Sequence, residues 1–217
     1  MEIRIARFID GAREARGRAV MVDVFRAFTT AACCIAAGAR EVVLVADHVH
    51  ALAMKAADPT LFLTGEIDGR PIPGFDVGNS PSAIVPLDLS GRRVVQRTGA
   101  GTQGVVAASA ADEILLGSLV IAGATVRYLL AAGGDVTVVA MGQGGVELAP
   151  EDEAGAELIA ARLRGEDPAL RPIPLHDRWQ DWFPRRDAEI ALEVDRFGFA
   201  LPVTREDGLL IARPVYA

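Results

Sequence analysis

From Val20 to about Arg164, short aliphatic and β-branched runs alternate with longer Ala/Leu-rich segments. The runs Val20–Val24, Val42–Val45, Leu61–Thr64, Arg93–Arg97, Glu113–Leu116 and Val136–Met141 read as strands. Thr29–Ala37, His48–Ala57, Thr102–Ala110, Ile121–Ala132 and Glu151–Leu163 carry their apolar positions at helical spacing. Strands apolar on both faces need cover on both faces, so the pattern predicts a three-layer α/β/α fold with a largely parallel central sheet. Glu2–Arg7 adds a further edge strand. After Gly165 the pattern degrades. Asp167–Pro184 holds four prolines and both tryptophans and reads as an irregular surface wrap. Asp187–Phe197 is helical again, and Leu201–Thr204 and Leu209–Arg213 read as short closing strands. No internal repeat or low-complexity linker interrupts the chain, so residues 1–217 are expected to form one domain, with 165–217 as its C-terminal cover.

Composition narrows the partners. Lys and Arg total 22 against 29 Asp and Glu, a net charge of −7 that argues against a nucleic-acid partner. Lys55 is the only lysine, so a bound anion would meet Arg, backbone N–H or a metal. The two cysteines, Cys33 and Cys34, are adjacent, which excludes a disulfide framework and suits a reducing compartment. No apolar run approaches the ~20 residues of a membrane span, and the N-terminus has no signal pattern, so a cytoplasmic location is expected.

The densest polar segment is Gly65–Pro81, GEIDGRPIPGFDVGNSP, which follows the Leu61–Thr64 strand. It gathers Glu66, Asp68, Asp76, Asn79 and Ser80 on a loop stiffened by prolines, an arrangement suited to a metal or charged ligand. Other polar clusters also fall at carboxyl ends of predicted strands, the edge where open α/β sheets bind ligands. They are Asp23 and Arg26 with Thr29 and Thr30, Thr98-Gly99-Ala100-Gly101-Thr102, Gly117-Ser118, Gly142–Gly145, and Glu151-Asp152-Glu153 at a helix start. Asp23 interrupts a buried strand, which demands a partner: an arginine in a structural ion pair, or a metal or reacting group. Hard oxygen donors dominate, which makes Mg²⁺ the natural ion. Gly99–Gly104 also spells G-x-G-x-x-G, but it lies mid-chain and the next strand ends in Leu116-Gly117-Ser118 without a ribose-binding acid. The narrower reading is an anion seat at a helix start.

Asp23-Val-Phe-Arg26-Ala-Phe-Thr29-Thr30, the pair Gly65-Glu66, the run Ile72–Pro81 and the pair Glu151-Asp152 together resemble the 2-phosphosulfolactate phosphatase family, associated with coenzyme M biosynthesis. The resemblance runs from about Val20 to Ala160. It implies an Mg²⁺-dependent phosphatase acting on a small phosphorylated 2-hydroxy acid. By position it implies catalytic roles for Asp23, Arg26, Asp76 and Asn79. Phosphate or substrate contacts would come from Thr29, Thr30, Ser80, Thr98, Gly99, Gly101, Thr102 and Ser118. Metal contacts would come from Glu66, Asp76, Glu151 and Asp152. Two positions depart from the family's pattern: Ala100 and Ile121 stand where it has asparagine, each expected near the site.

Two other functions compete: a non-catalytic small-anion binder on the same scaffold, and a dinucleotide-dependent oxidoreductase using Gly99–Gly104. Trp179, Trp182 and Phe183 could anchor a homo-oligomer interface or pack on their own sheet.

Overall fold

The computed structural model describes residues 1–175 and 179–216. Residues 176–178, within the predicted surface wrap, lie outside the described residues. In chain order the elements are β1 (Ile3–Arg7), α1 (Phe8–Glu14), β2 (Arg18–Val22), α2 (Ala27–Ala36), β3 (Glu41–Leu44) and α3 (His48–Ala57). The predicted loop follows, with β4 (Phe62–Ile67), β5 (Arg70–Pro71), β6 (Val77–Gly78) and α4 (Pro81–Ile84). Then come β7 (Arg93–Arg97), α5 (Gly101–Ala107), β8 (Glu113–Gly117), α6 (Ala122–Ala132), β9 (Val136–Ala140) and α7 (Pro150–Leu163). The chain closes with α8 (Arg185–Ala191), β10 (Phe199–Glu206), β11 (Leu209–Ala212) and β12 (Val215–Tyr216).

The strands form one large mixed sheet in the order β1-β9-β2-β8-β10-β11-β3-β7-β4-β5, with β12 on β10 and β6 beside β4. β1, β9, β2 and β8 pair in parallel, and so do β3, β7 and β4. The C-terminal hairpin β10–β11 joins the two blocks through three successive antiparallel pairings. The two predicted C-terminal strands are therefore central strands rather than an outer cover. In that position Leu201, Val203, Leu210, Ile211 and Ala212 are all buried.

Three antiparallel steps make the second block run opposite to the first, so on a flat sheet their carboxyl ends would lie at opposite edges. Residues from both blocks nevertheless line one cavity. Likewise α5 packs on both β2 and β3, four places apart in the sheet.

Side chains alternate between separate cores, as pleating requires. Ala19 and Met21 of β2 join Val42 and Leu44 of β3 in the core that holds α2 and α5. Val20 and Val22 face α6 and α7, while Val43 and Val95 pack with α3 residue Ala51. Every residue of α2 from Ala27 to Ile35 is buried, which a helix of small and apolar side chains tolerates on all sides. Cys33 and Cys34 lie there as free, buried thiols. Among the described residues no helix is long and apolar enough to cross a membrane. Helix α1 was not foreseen, and the predicted Asp187–Phe197 helix is instead α8, beginning two residues earlier and ending at Ala191.

Candidate active site

The loops after β2, β4, β7 and β9 meet at one cavity of about 640 Å³. Asp23 follows β2 and is 5% exposed. It accepts the Ala27 N–H at 2.9 Å through Oδ1. Gly101 lies against its other oxygen: a Cβ there would sit 2.8 Å from Asp23 Oδ2, so only glycine permits the approach. Asp152 stands in the first turn of α7, where a carboxylate would ordinarily serve the helix dipole. Instead it bridges two loops, accepting the Val24 N–H at 2.7 Å and the Gly142 N–H at 2.8 Å. Gly142 has φ +72°, a left-handed conformation that side chains resist. Glu66 accepts the Gly69 N–H at 2.6 Å and also the Gly99 N–H. Glu151 lines the same cavity beside Asp152.

Asp23, Glu66 and Asp152 are buried and Glu151 half-buried, and among the described residues none of the four has an ion-pair partner. Burial pushes the Asp23 carboxyl up to about 7, with Glu66 and Glu151 adding repulsion and the Ala27 and Gly101 N–H groups opposing it. Burial raises Asp152 well above the usual range, and Asp23 and Glu151 raise it further. Glu151 is also raised by burial.

Arg26 is the one cation lining the cavity among the described residues, and it follows a cis Phe25–Arg26 peptide bond. Its Nη1 donates to Asp187 Oδ2 at 2.9 Å and to the Trp182 carbonyl. Its guanidinium carbon lies 4.2 Å from the Phe183 ring centre. Phe183 in turn meets Phe25 edge-on at 5.9 Å and Trp179 at 5.7 Å, and Trp182 receives Arg70 over its ring at 4.6 Å. These aromatics thus pack against one another and against Arg26 and Arg70 at the site's wall. Phe25, Leu148, Pro174, Leu175 and Phe183 make one side of the cavity apolar.

The predicted site residues separate into those that line the cavity and those that do not. Asp23, Arg26, Glu66, Asn79, Thr98, Gly99, Glu151 and Asp152 line it. Asp76 does not: Lys55 Nζ and the Leu63 N–H hold its carboxylate, so its expected catalytic and metal roles find no support in this geometry. Ser80 caps α4 and donates to Asp187 at 2.8 Å instead of meeting a ligand. Thr29, Thr30, Thr102 and Ser118 are fully buried outside the lining. Thr29 Oγ1 and Ser118 Oγ bond to each other at 2.6 Å, and Thr102 bonds to Thr98.

The expected anion seat is also altered, because Glu66 takes the Gly99 N–H, Thr98 Oγ1 takes the Thr102 N–H, and Asp23 occupies the space against Gly101. Carboxylates there would repel a pyrophosphate, which counts against the dinucleotide reading. Glu153, the third acid of its run, leaves the site for an ion pair with Arg7 at 2.8 Å. Of the two departures, Ala100 lines the cavity, whereas Ile121 is fully buried in the apolar core. Asp187 was not foreseen, because an acid three residues after Pro184 reads as an ordinary first-turn helix residue.

Among the described residues no three His, Cys, Asp or Glu side chains form a ready metal cage. The donor chemistry nevertheless fits Mg²⁺, since buried carboxylates share the cavity with uncompensated charge. Asn79, 5% exposed, adds a side-chain oxygen with no hydrogen-bond partner among the described residues.

The family model described as 2-phosphosulpholactate phosphatase matches residues 6–179. A probable 2-phosphosulfolactate phosphatase of Deinococcus radiodurans is 39% identical over 147 residues, covering 67% of this chain and 61% of that protein. One from Synechococcus sp. (strain JA-3-3Ab) is 34% identical over 172 residues, covering 75% of this chain and 71% of the relative. One from Carboxydothermus hydrogenoformans is 34% identical over 164 residues, covering 75% and 68%. The matched stretch carries the carboxylates and Arg26 but stops short of Asp187 and the central hairpin. With most of its length and its cavity-lining acids inside that match, the chain belongs to the 2-phosphosulfolactate phosphatase family.

Proposed function

We propose that the protein is an Mg²⁺-dependent phosphatase that hydrolyses 2-phosphosulfolactate to sulfolactate and inorganic phosphate. The observation that carries this reading is the cluster of three carboxylates, buried Asp23 and Asp152 and half-buried Glu151, in one cavity with the fixed cation Arg26. Family membership and the names of the relatives support the reaction class. Helices on both faces of the sheet suit the three-layer arrangement expected of this fold, and free cysteines suit a cytoplasmic enzyme.

Glu151 and Asp152 would hold Mg²⁺. When bound, the ion supplies Lewis-acid polarisation of a phosphoryl oxygen. The chain's own residues do the rest. Arg26 offsets the remaining phosphoryl charge. The unpaired Asn79 oxygen accepts a hydrogen bond from a substrate hydroxyl or water. Asp23, poised near neutrality, takes a proton from attacking water as the new phosphorus–oxygen bond forms. The ester bond breaks on the other side of phosphorus, the departing alkoxide takes a proton from solvent water, and Asp23 returns its proton to solvent.

The test is phosphate release from phosphosulfolactate, phosphoglycolate and related acids, each with Mg²⁺ and with EDTA. Release from the sulfonated acid that EDTA abolishes is the expected result. Release unaffected by EDTA would remove the metal. A folded protein that binds these acids without releasing phosphate would leave the small-anion binder.

A further inference from the structure

We propose that Asp187 is a positioning residue that aims Arg26 at the phosphoryl group. The inference rests on the phosphatase reading above, and it concerns a residue beyond the stretch that matches the family.

Asp187 is fully buried in the first turn of α8. Its Oδ1 is anchored three times, by Ser80 Oγ at 2.8 Å, the Ser82 N–H at 2.9 Å and Ser82 Oγ at 2.6 Å. The carboxylate therefore cannot swing, and its other oxygen is held out to Arg26 Nη1. The Trp182 carbonyl takes Nη1 as well, the Gly69 carbonyl lies 3.4 Å from Nη2, and the Phe183 ring covers one guanidinium face. Among the described residues Nε–H has no partner, and Nη2 has only the Gly69 carbonyl at 3.4 Å. Nε and Nη2 share one edge of the guanidinium, the fork that can grip two oxygens of a phosphoryl group.

A purely structural pair would be expected to close this fork on the carboxylate. Here Asp187 takes only the Nη1 end and leaves the fork free on a residue that lines the cavity. The C-terminal segment thus completes a site whose carboxylates all come from earlier in the chain. Ser80 and Ser82 belong to the same device: they bind Asp187, and through it Arg26, rather than the substrate.

Phosphate release and calorimetric binding of inorganic phosphate with Mg²⁺ would be measured for wild type, Asp187→Asn, Ser82→Ala, Arg26→Ala and the doubles that combine Arg26→Ala with each. Asp187→Asn is expected to lower kcat/KM about 100-fold. Ser82→Ala, which loosens the anchor without changing charge, is expected to lower it several-fold. In the Arg26→Ala background neither change should cost more than about twofold, because the group being aimed is gone. Equal losses in both backgrounds, or a wild-type-like Asp187→Asn, would overturn the proposal and leave the phosphatase reading intact. If Asp187→Asn fails to fold, Ser82→Ala and its double carry the comparison. Wild type that binds phosphate through Arg26 and Asp187 but hydrolyses no ester would overturn the phosphatase reading and keep the positioning role. A wild type that neither binds nor releases phosphate would overturn both.

Discussion

Two pairs of buried charges stand side by side in this protein, and they are built in opposite ways. Arg26 and Asp187 are 5% and 0% exposed, oppositely charged and hydrogen-bonded at 2.9 Å. Serine, backbone and aromatic groups satisfy much of what remains. Asp23 and Asp152 are 5% and 3% exposed and carry the same sign. Backbone N–H groups take part of their hydrogen-bonding capacity, and among the described residues neither has an ion-pair partner. The first pair is complete within the chain. The second becomes electrically comfortable only with protons or a cation. A buried like-charge pair costs stability that a folded domain keeps only where function demands it.

The largest effect separates the pairs by activity. Asp23→Asn keeps the shape of the side chain and removes the group that takes the proton, so kcat/KM is expected to fall on the order of 10³-fold. Asp187→Asn, acting one residue removed from the substrate, should fall by the smaller factor given above. Steady-state phosphate release on both variants checks the order. Equal losses would mean that Asp23 is only another support.

The next effect separates them by pH. Asp23 has a folded pKa near 7 against 3.8 as its ordinary value, so between these limits the folded state holds a proton that the unfolded state has released. The folded state then binds more protons, and stability falls as pH rises from about 4 through about 7, levelling off above. Asp152 acts in the same direction. In EDTA, chemical denaturation should therefore show a less stable protein at pH 8 than at pH 5.5, and Mg²⁺ should recover stability at pH 8. Asp23→Asn should flatten part of the slope. Asp187→Asn should leave the slope in place while lowering stability by about 3–5 kcal/mol, because it strands a buried guanidinium. A slope of the opposite sign would show that the carboxylates are ionised and already compensated.

Much of the frame was legible in the sequence because β-branched runs and Ala/Leu periods are local signals. All six predicted strands from Val20 to Met141 have counterparts in the sheet, five within a residue or two, while β4 runs three residues past the predicted Thr64 end and takes in Gly65 and Glu66. What was not legible depends on distant pairing. Nothing within Leu201–Arg213 indicates that the hairpin enters the middle of the sheet, since its apolar content suits an edge or a centre until its neighbours are known. Helix α1 was hidden because Gly11 and the charges around it blur its period. At the site, Asp23 was legible because a charge inside an apolar strand is anomalous on its face. Asp187 was not, because an acid at the third position of a helix is what any helix favours. Asp76 erred the other way: its setting in Gly74-Phe75-Asp76-Val77-Gly78-Asn79 implied chemistry, but only the fold shows which way its carboxylate turns.

Asp76 gives the smallest effect and the sharpest control. Its carboxylate lies between Lys55 and the Leu63 N–H, with both ion-pair partners partly exposed, Lys55 at 26% and Asp76 at 31%. A partly exposed pair contributes little, so Lys55→Ala is expected to cost about 0.5–1 kcal/mol of stability. Neither residue lines the cavity, and kcat/KM should change less than about twofold. Denaturation and steady-state kinetics on one variant decide the matter. A loss of tenfold or more in a stably folded Lys55→Ala would place Asp76 within the working site after all. The loop would then have to turn Asp76 away from Lys55 when substrate binds, and the buried carboxylates would gain another acid rather than the cation they lack.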